Sequence, residues 1–156
     1  LINWTNNKKI DLTFIEVMPM EETDISREYQ FTSLTEIYDR LDKKYKFIKN
    51  DQNTGGPARY FTSNLISTKI GFISPLTNNF CATCNRVRIS STGKLFMCLG
   101  QNDNIDFRSI IRTGNIMQLN SSIDKAMKIK PKAHDFNITK RNQRPSVSRH
   151  MSVTGG

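Results

Sequence analysis

The sequence predicts an α/β to α+β fold, and three stretches carry the prediction. "KIDLTFIEVMPM" (Lys9–Met20) is a near-continuous apolar run stopped by Pro19, the pattern of a strand covered on both faces, as in a parallel sheet. "SLTEIYDRLDKKYK" (Ser33–Lys46) repeats its apolar residues at helical spacing. "CATCNRVRISSTGKLFMCLG" (Cys81–Gly100) holds two strand-like runs around Ser91-Thr92-Gly93, which predicts a β-hairpin.

The elements follow in order. "LINWTNNKK" opens without an initiator Met and reads as the last turns of a helix begun upstream, with Trp4 expected in its core. The chain is therefore expected to be a fragment. In the strand after it, Ile10, Leu12, Phe14, Ile15, Val17 and Met18 are apolar, and Glu16 is the exception. A carboxylate in such a strand must find partners, so Glu16 is expected in a site, with a hydrogen-bonded place at the sheet rim as the alternative. Ser33 and Glu36 form a capping box for the helix that carries Leu34, Ile37, Tyr38, Leu41 and Tyr45. Lys43, Lys44 and Lys46 load its C-terminal end, where cations are favoured.

"NTGGPARYF" is a turn entering a strand, because Gly55-Gly56-Pro57 breaks any helix. "STKIGFISPL" is a second strand, closed by Pro75. Beyond the hairpin, "IDFRSIIR" and "LNSSIDKAMKI" read as helices, the latter ended by Pro131. The last stretch, "RNQRPSVSRHMSVTGG", has weak periodicity and is expected to be an extended tail. His134 and His150 are expected at the surface.

Composition narrows the functions. The 156 residues suit one domain or slightly more. No apolar run of about 18 residues exists, which excludes a membrane-spanning helix of ordinary length, and no signal peptide is visible. Net charge is +9, unevenly spread. Residues 1–51 carry 8 Lys/Arg and 10 Asp/Glu, whereas residues 52–156 carry 15 and 4. A basic field of this kind attracts phosphate-bearing anions, or it is a solvated surface. The three cysteines all fall within 18 residues. An odd, clustered count argues against a secreted disulfide framework and suits a metal site in a reducing cytoplasm.

The cysteine spacing is C-x2-C-x13-C. The first pair brackets a tight turn, and the hairpin should return Cys98 beside it on its second strand. Three readings stay open. Zinc in a structural site takes four ligands, and the extra nitrogens, His134 and His150, lie far along the chain. An iron–sulfur cluster also usually takes four cysteines; with three, one iron could accept a substrate atom. A site without metal is the third. Arg86 and Arg88 are two apart on a strand and share one face, leaving Val87 and Ile89 to pack inward. Two guanidiniums there suit an anionic ligand, or they offset the charge of the thiolates.

These residues resemble a known family. "CATCNRVRISSTGKLFMCL", preceded by "IGFISPLTNNF", is similar to the C-terminal region of the molybdenum cofactor biosynthesis protein A family, GTP 3',8-cyclases of the radical S-adenosylmethionine class. "FIEVMP" (Phe14–Pro19) looks like a late barrel strand of that family, and Gly155-Gly156 after "HMSV" like its Gly-Gly end. The resemblance implies that residues 1–20 end a partial (β/α) radical barrel. Residues 21–156 would then form an α+β extension that binds an iron–sulfur cluster and GTP on a cysteine-bearing β-hairpin and carries the Gly-Gly tail.

By the same resemblance Cys81, Cys84 and Cys98 hold a [4Fe–4S] cluster whose remaining iron faces the guanine of GTP. Arg86, Val87 and Arg88 contact GTP, Met18 contacts S-adenosylmethionine, and Gly155 and Gly156 reach the active site and assist catalysis. A radical made from S-adenosylmethionine at a second [4Fe–4S] cluster would take hydrogen from the ribose 3' carbon. That carbon then attacks guanine C8, giving 3',8-cyclo-7,8-dihydro-GTP. Cyclic pyranopterin monophosphate synthase would act next; a homodimer is admitted, and neither membrane nor nucleic acid is a partner.

Two departures stand out. The C-x3-C-x2-C motif of the catalytic cluster is absent, so the chain is expected to be inactive without an N-terminal radical half. Thr13 stands where the family often has Arg. Two other classes compete: a basic zinc-binding module contacting nucleic acid, and an iron–sulfur domain with a purely structural role. The first lacks aromatic residues interleaved with the tail lysines as stacking platforms.

Overall fold

The computed structural model describes residues 1–20, 30–52, 54–138 and 145–154. They fall into two compact units, one of Leu1–Met18 with Gln30–Phe80, the other of Pro19 and Met20 with the residues from Cys81 onward.

In the first unit a short helix, α1 (Ile2–Asn7), precedes strand β1 (Leu12–Ile15). Helix α2 (Leu34–Tyr45) follows, then β2 (Ile48–Asn50), β3 (Arg59–Ser63) and β4 (Ile66–Ile73). The sheet order is β1-β4-β3-β2. β1 runs parallel to β4, as its apolar run predicts, and the other two pairs are antiparallel. β1 is shorter than that run and alternates in burial, so Ile10 and Ile15 are exposed instead of covered on both sides.

Ser33 caps α2 by accepting from the Thr35 N–H at 3.2 Å, one residue earlier than the capping box predicts. The apolar face of α2 packs on the sheet. Ile2, Leu34, Tyr45, Ile70 and Phe72 are buried together. Phe72 lies at the centre of an aromatic cluster, with ring centroids 5.7 Å from Phe14, 5.6 Å from Tyr38, 6.1 Å from Phe47 and 5.7 Å from Phe61. A Cβ at Gly71 would lie 2.6 Å from Thr13 Oγ1 and 2.9 Å from the Tyr60 ring, so only glycine fits between β1 and β3 there.

Two expectations fail in this unit. Trp4 is 57% exposed, because α1 turns Ile2 and Thr5 inward and Trp4 away. Glu16 is buried, yet its carboxylate is spent on donors of the same unit. It accepts from the N–H groups of Leu34 at 3.2 Å, Leu76 at 2.8 Å and Thr77 at 3.1 Å, and from the Thr77 hydroxyl. The alternative reading, a hydrogen-bonded place at the rim, describes it.

In the second unit a 3₁₀ turn (Cys81–Thr83) leads to β5 (Arg88–Ile89), β6 (Lys94–Phe96) and β7 (Asn104–Asp106), an antiparallel sheet in that order. Two helices complete it, α3 (Phe107–Thr113) and α4 (Ile116–Ile129). Asp106 caps α3 through the Arg108 N–H at 2.9 Å, and Asn115 caps α4 through the Gln118 N–H at 2.9 Å. Leu95, Met97, Phe107 and Ala126 form the core. The end of the chain is docked where an extended tail is predicted. Val147 is fully buried and bridges to Met20, the Ser146 N–H donates to the Pro19 carbonyl at 3.2 Å, and Met151–Thr154 forms a 3₁₀ turn.

Candidate metal centre

The second unit brings the three cysteines into one neighbourhood. Cys81 starts the 3₁₀ turn, and the Cys84 N–H closes it on the Cys81 carbonyl at 3.1 Å. The hairpin forms with Arg88 opposite Phe96 and Ile89 opposite Leu95. Both strands are shorter than predicted, and Cys98 lies beyond the end of β6, not on the strand. All three thiols are free and half-buried.

Burial pushes the Cys98 thiol above its usual value. The Gly100 N–H, donating toward this sulfur, and the ammonium of Lys130 act the other way, and Cys81 and Cys84 add a further upward push. Cys98 thus lies within electrostatic reach of both Cys81 and Cys84. Among the described residues, no three His, Cys, Asp or Glu groups are gathered closely enough to hold a single ion.

Among the described residues, four cations belong to this neighbourhood. Burial lowers the Arg88 guanidinium from its ordinary range; Arg86 beside it lowers it further, while Cys84 and Cys98 oppose both. Arg86 and Arg88 are half-buried, whereas Val87 is 38% and Ile89 61% exposed. The period-two alternation holds, but its sense is the reverse of the prediction: the arginines turn inward and the aliphatic pair outward. On the inward side Arg88 lies within electrostatic reach of Cys84 and Cys98.

Lys130 and Arg149 complete the set, and no local pattern singles them out. The Lys130 ammonium donates to the carbonyls of Arg86 at 3.0 Å and Met97 at 2.7 Å, joining the two arms that carry the cysteines. Its place just before Pro131, at the end of α4, is the one available signal. Arg149 Nη2 donates to the carbonyls of Cys98 at 3.2 Å and Leu99 at 2.6 Å, and Nη1 to Asn102 Oδ1 at 2.8 Å. Its guanidinium carbon stands 4.5 Å from the centre of the Phe96 ring, a cation–π contact.

Gly100 supports the same turn. A Cβ there would lie 2.7 Å from the Cβ of His134 and 3.1 Å from the Phe136 ring. His134 itself is half-buried against Phe136, with ring centroids 4.7 Å apart, rather than on the open surface; His150 is exposed as expected. Met18 is half-buried past the end of β1, and Thr13 is exposed on that strand. Gly155 and Gly156 lie outside the described residues.

Residues 10–136 match the family described as Molybdenum Cofactor Synthesis C. The chain belongs to that family. Its relatives include proteins named GTP 3',8-cyclase. One from Brucella ovis is 45% identical over 157 residues, which is all of this chain and 46% of that protein. One from Rhizobium etli is 47% identical over 157 residues, all of this chain and 45% of that protein. The chain spans about half the length of these relatives. No helix among the described residues is long and apolar enough to cross a membrane.

Proposed function

We propose that this chain is the substrate-holding part of a GTP 3',8-cyclase in molybdenum cofactor synthesis, with Cys81, Cys84 and Cys98 as ligands of a [4Fe–4S] cluster. The observation that carries the reading is the cysteine neighbourhood: three free thiols, with Cys98 within electrostatic reach of Cys81 and Cys84, and Arg88 within reach of Cys84 and Cys98. The donor set fits the group, because thiolates are the usual ligands of iron–sulfur clusters. When bound, such a cluster supplies one iron without a cysteine, open to an atom of the substrate.

The chain's own residues bind and orient. Arg86 and Arg88 offer forked donors to the anionic substrate, and their mutual repulsion is relieved when an anion sits between them. Lys130 and Arg149 hold the carbonyls of residues 86, 97, 98 and 99, which fixes the backbone from which the cysteines project. Fixing both ends of GTP sets the ribose at a defined place, the usual gain from orientation. The radical source, S-adenosylmethionine with a second cluster, belongs in this reading to residues outside the chain, with Met18 touching the cofactor and the Gly155-Gly156 tail entering the site. β1 would be the end of a (β/α) barrel, in keeping with its parallel pairing and the exposed Ile10 and Ile15.

Anaerobic reconstitution with iron and sulfide, followed by equilibrium dialysis with GTP, tests the reading. The expected product is brown, with about four irons per chain, and binds GTP. Cys98→Ala loses both properties. Arg86→Ala keeps the cluster and binds GTP about tenfold more weakly or worse, as expected for a lost charge-assisted hydrogen bond. A colourless protein retaining one zinc overturns the cluster assignment. A brown protein that ignores GTP leaves the cluster structural and overturns the substrate role.

A further inference from the structure

Arg149 has five N–H donors, and the structure accounts for them unevenly. Nη1 and Nη2 are engaged on Asn102, Cys98 and Leu99. Nε is buried and has no hydrogen-bond partner. A buried, unpaired donor on a charged group is costly to desolvate, so its retention calls for an explanation. The planar guanidinium narrows the choice. Its Nε–H shares an edge with one hydrogen of Nη2, and both Nη2 acceptors are main-chain carbonyls at or next to Cys98. The Phe96 ring covers a face of the group, which restricts it to its own plane. Cys98 and Arg88 are the two charges that act most on this guanidinium after burial itself.

We infer that Arg149 is a positioning residue of the cysteine centre whose Nε–H is held for a sulfur, either the Cys98 thiolate or a sulfide of the bound cluster. The inference rests on the cluster reading above. Two consequences follow from the chemistry. Hydrogen bonds to the sulfurs help set a cluster's reduction potential, so losing this donor makes the cluster harder to reduce. The clamp on the Cys98–Leu99 carbonyls also goes, so the third ligand is held less firmly. Lysine cannot replace the group, because it lacks both the rigid fork and the Nε–H.

The test compares the reconstituted parent chain with Arg149→Lys and Arg149→Gln, using Arg112→Lys on exposed α3 as the control. Redox titration and iron release to a ferrous chelator are measured, with far-UV circular dichroism as the check on folding. The expected result is a potential shifted to more negative values in both Arg149 variants, iron release several-fold faster, and no change in the control. With ¹⁵N-arginine label, pulsed EPR of the reduced cluster should show in the parent an arginine nitrogen coupling that Arg149→Lys loses and Arg86→Ala keeps. Faster iron release at an unchanged potential would make Arg149 a brace and overturn the donor role, as would the absence of any arginine coupling in the parent. A parent chain that takes up no cluster would instead overturn the cluster reading on which the inference stands.

Discussion

Replacing Glu16 by Gln separates a structural carboxylate from a catalytic one. The side chain is 2% exposed and carries two pairs of contacts. One oxygen accepts from the Leu34 N–H and the Thr77 hydroxyl, the other from the N–H groups of Leu76 and Thr77. Glutamine keeps the shape but makes one side an NH₂. Placed toward Thr77 Oγ1, that NH₂ finds an acceptor in the hydroxyl and leaves the Leu34 N–H facing a donor. The unpaired N–H costs about 1–3 kcal/mol, and the remaining bonds lose their charge assistance, so a total of about 2–4 kcal/mol is expected. With a urea m-value of about 2 kcal/mol/M, the unfolding midpoint should fall by about 1–2 M. Urea unfolding followed by circular dichroism measures it, and reconstituted Glu16→Gln, where folded, should bind GTP as the parent does. A variant that unfolds within about 0.5 kcal/mol of the parent, or one that stays stable and loses GTP, would refute the structural assignment.

Other substitutions test the packing of each unit. Phe72→Leu should destabilise the chain by about 2–4 kcal/mol, because it removes the ring that meets four aromatic neighbours and leaves a partial cavity; thermal unfolding would show it. Gly100→Ala should cost about 1–3 kcal/mol by forcing the turn away from His134 and Phe136, and should also slow cluster uptake, since the Gly100 N–H faces the Cys98 sulfur. Equal stability and equal uptake would show that this turn is slack.

Much of the architecture is written in local patterns, and the misses have a common cause. The capped helix after Ser33, the strand before Pro75 and the hairpin around Gly93 follow from capping, proline and turn chemistry, all of which act within a few residues. The period-two pattern at Arg86–Ile89 identifies which residues share a face. It cannot identify which face is inward, because that depends on what packs against the strand from further along the chain. Glu16 is legible as a buried carboxylate that needs donors; the donors come from residues 34, 76 and 77, far along the chain. Lys130 and Arg149 stand 33 and 50 or 51 residues from the carbonyls of 97–99 that they hold. In the sequence they are two members of a basic run. Trp4 shows the converse: a large apolar residue predicts burial, but the six-residue α1 has one inward face, and Ile2 and Thr5 occupy it.

The basic half of the chain reads differently once these contacts are placed. A net excess of Lys and Arg suggests a surface that attracts polyanions, as a nucleic-acid module would have. Two of the cations near the thiols do not serve that purpose. Lys130 and Arg149 direct their donors to main-chain oxygens, so their charge organises the turn that carries Cys98. Arg88 is pressed by burial and by Arg86 and eased by the sulfurs, so its charge is directed inward. A polyanion running over the surface gains little from charges engaged in this way, whereas the proposed GTP site would use Arg86 and Arg88 as a pair. The distribution of the charge, more than its sum, argues for the small phosphate-bearing substrate proposed above over a nucleic acid.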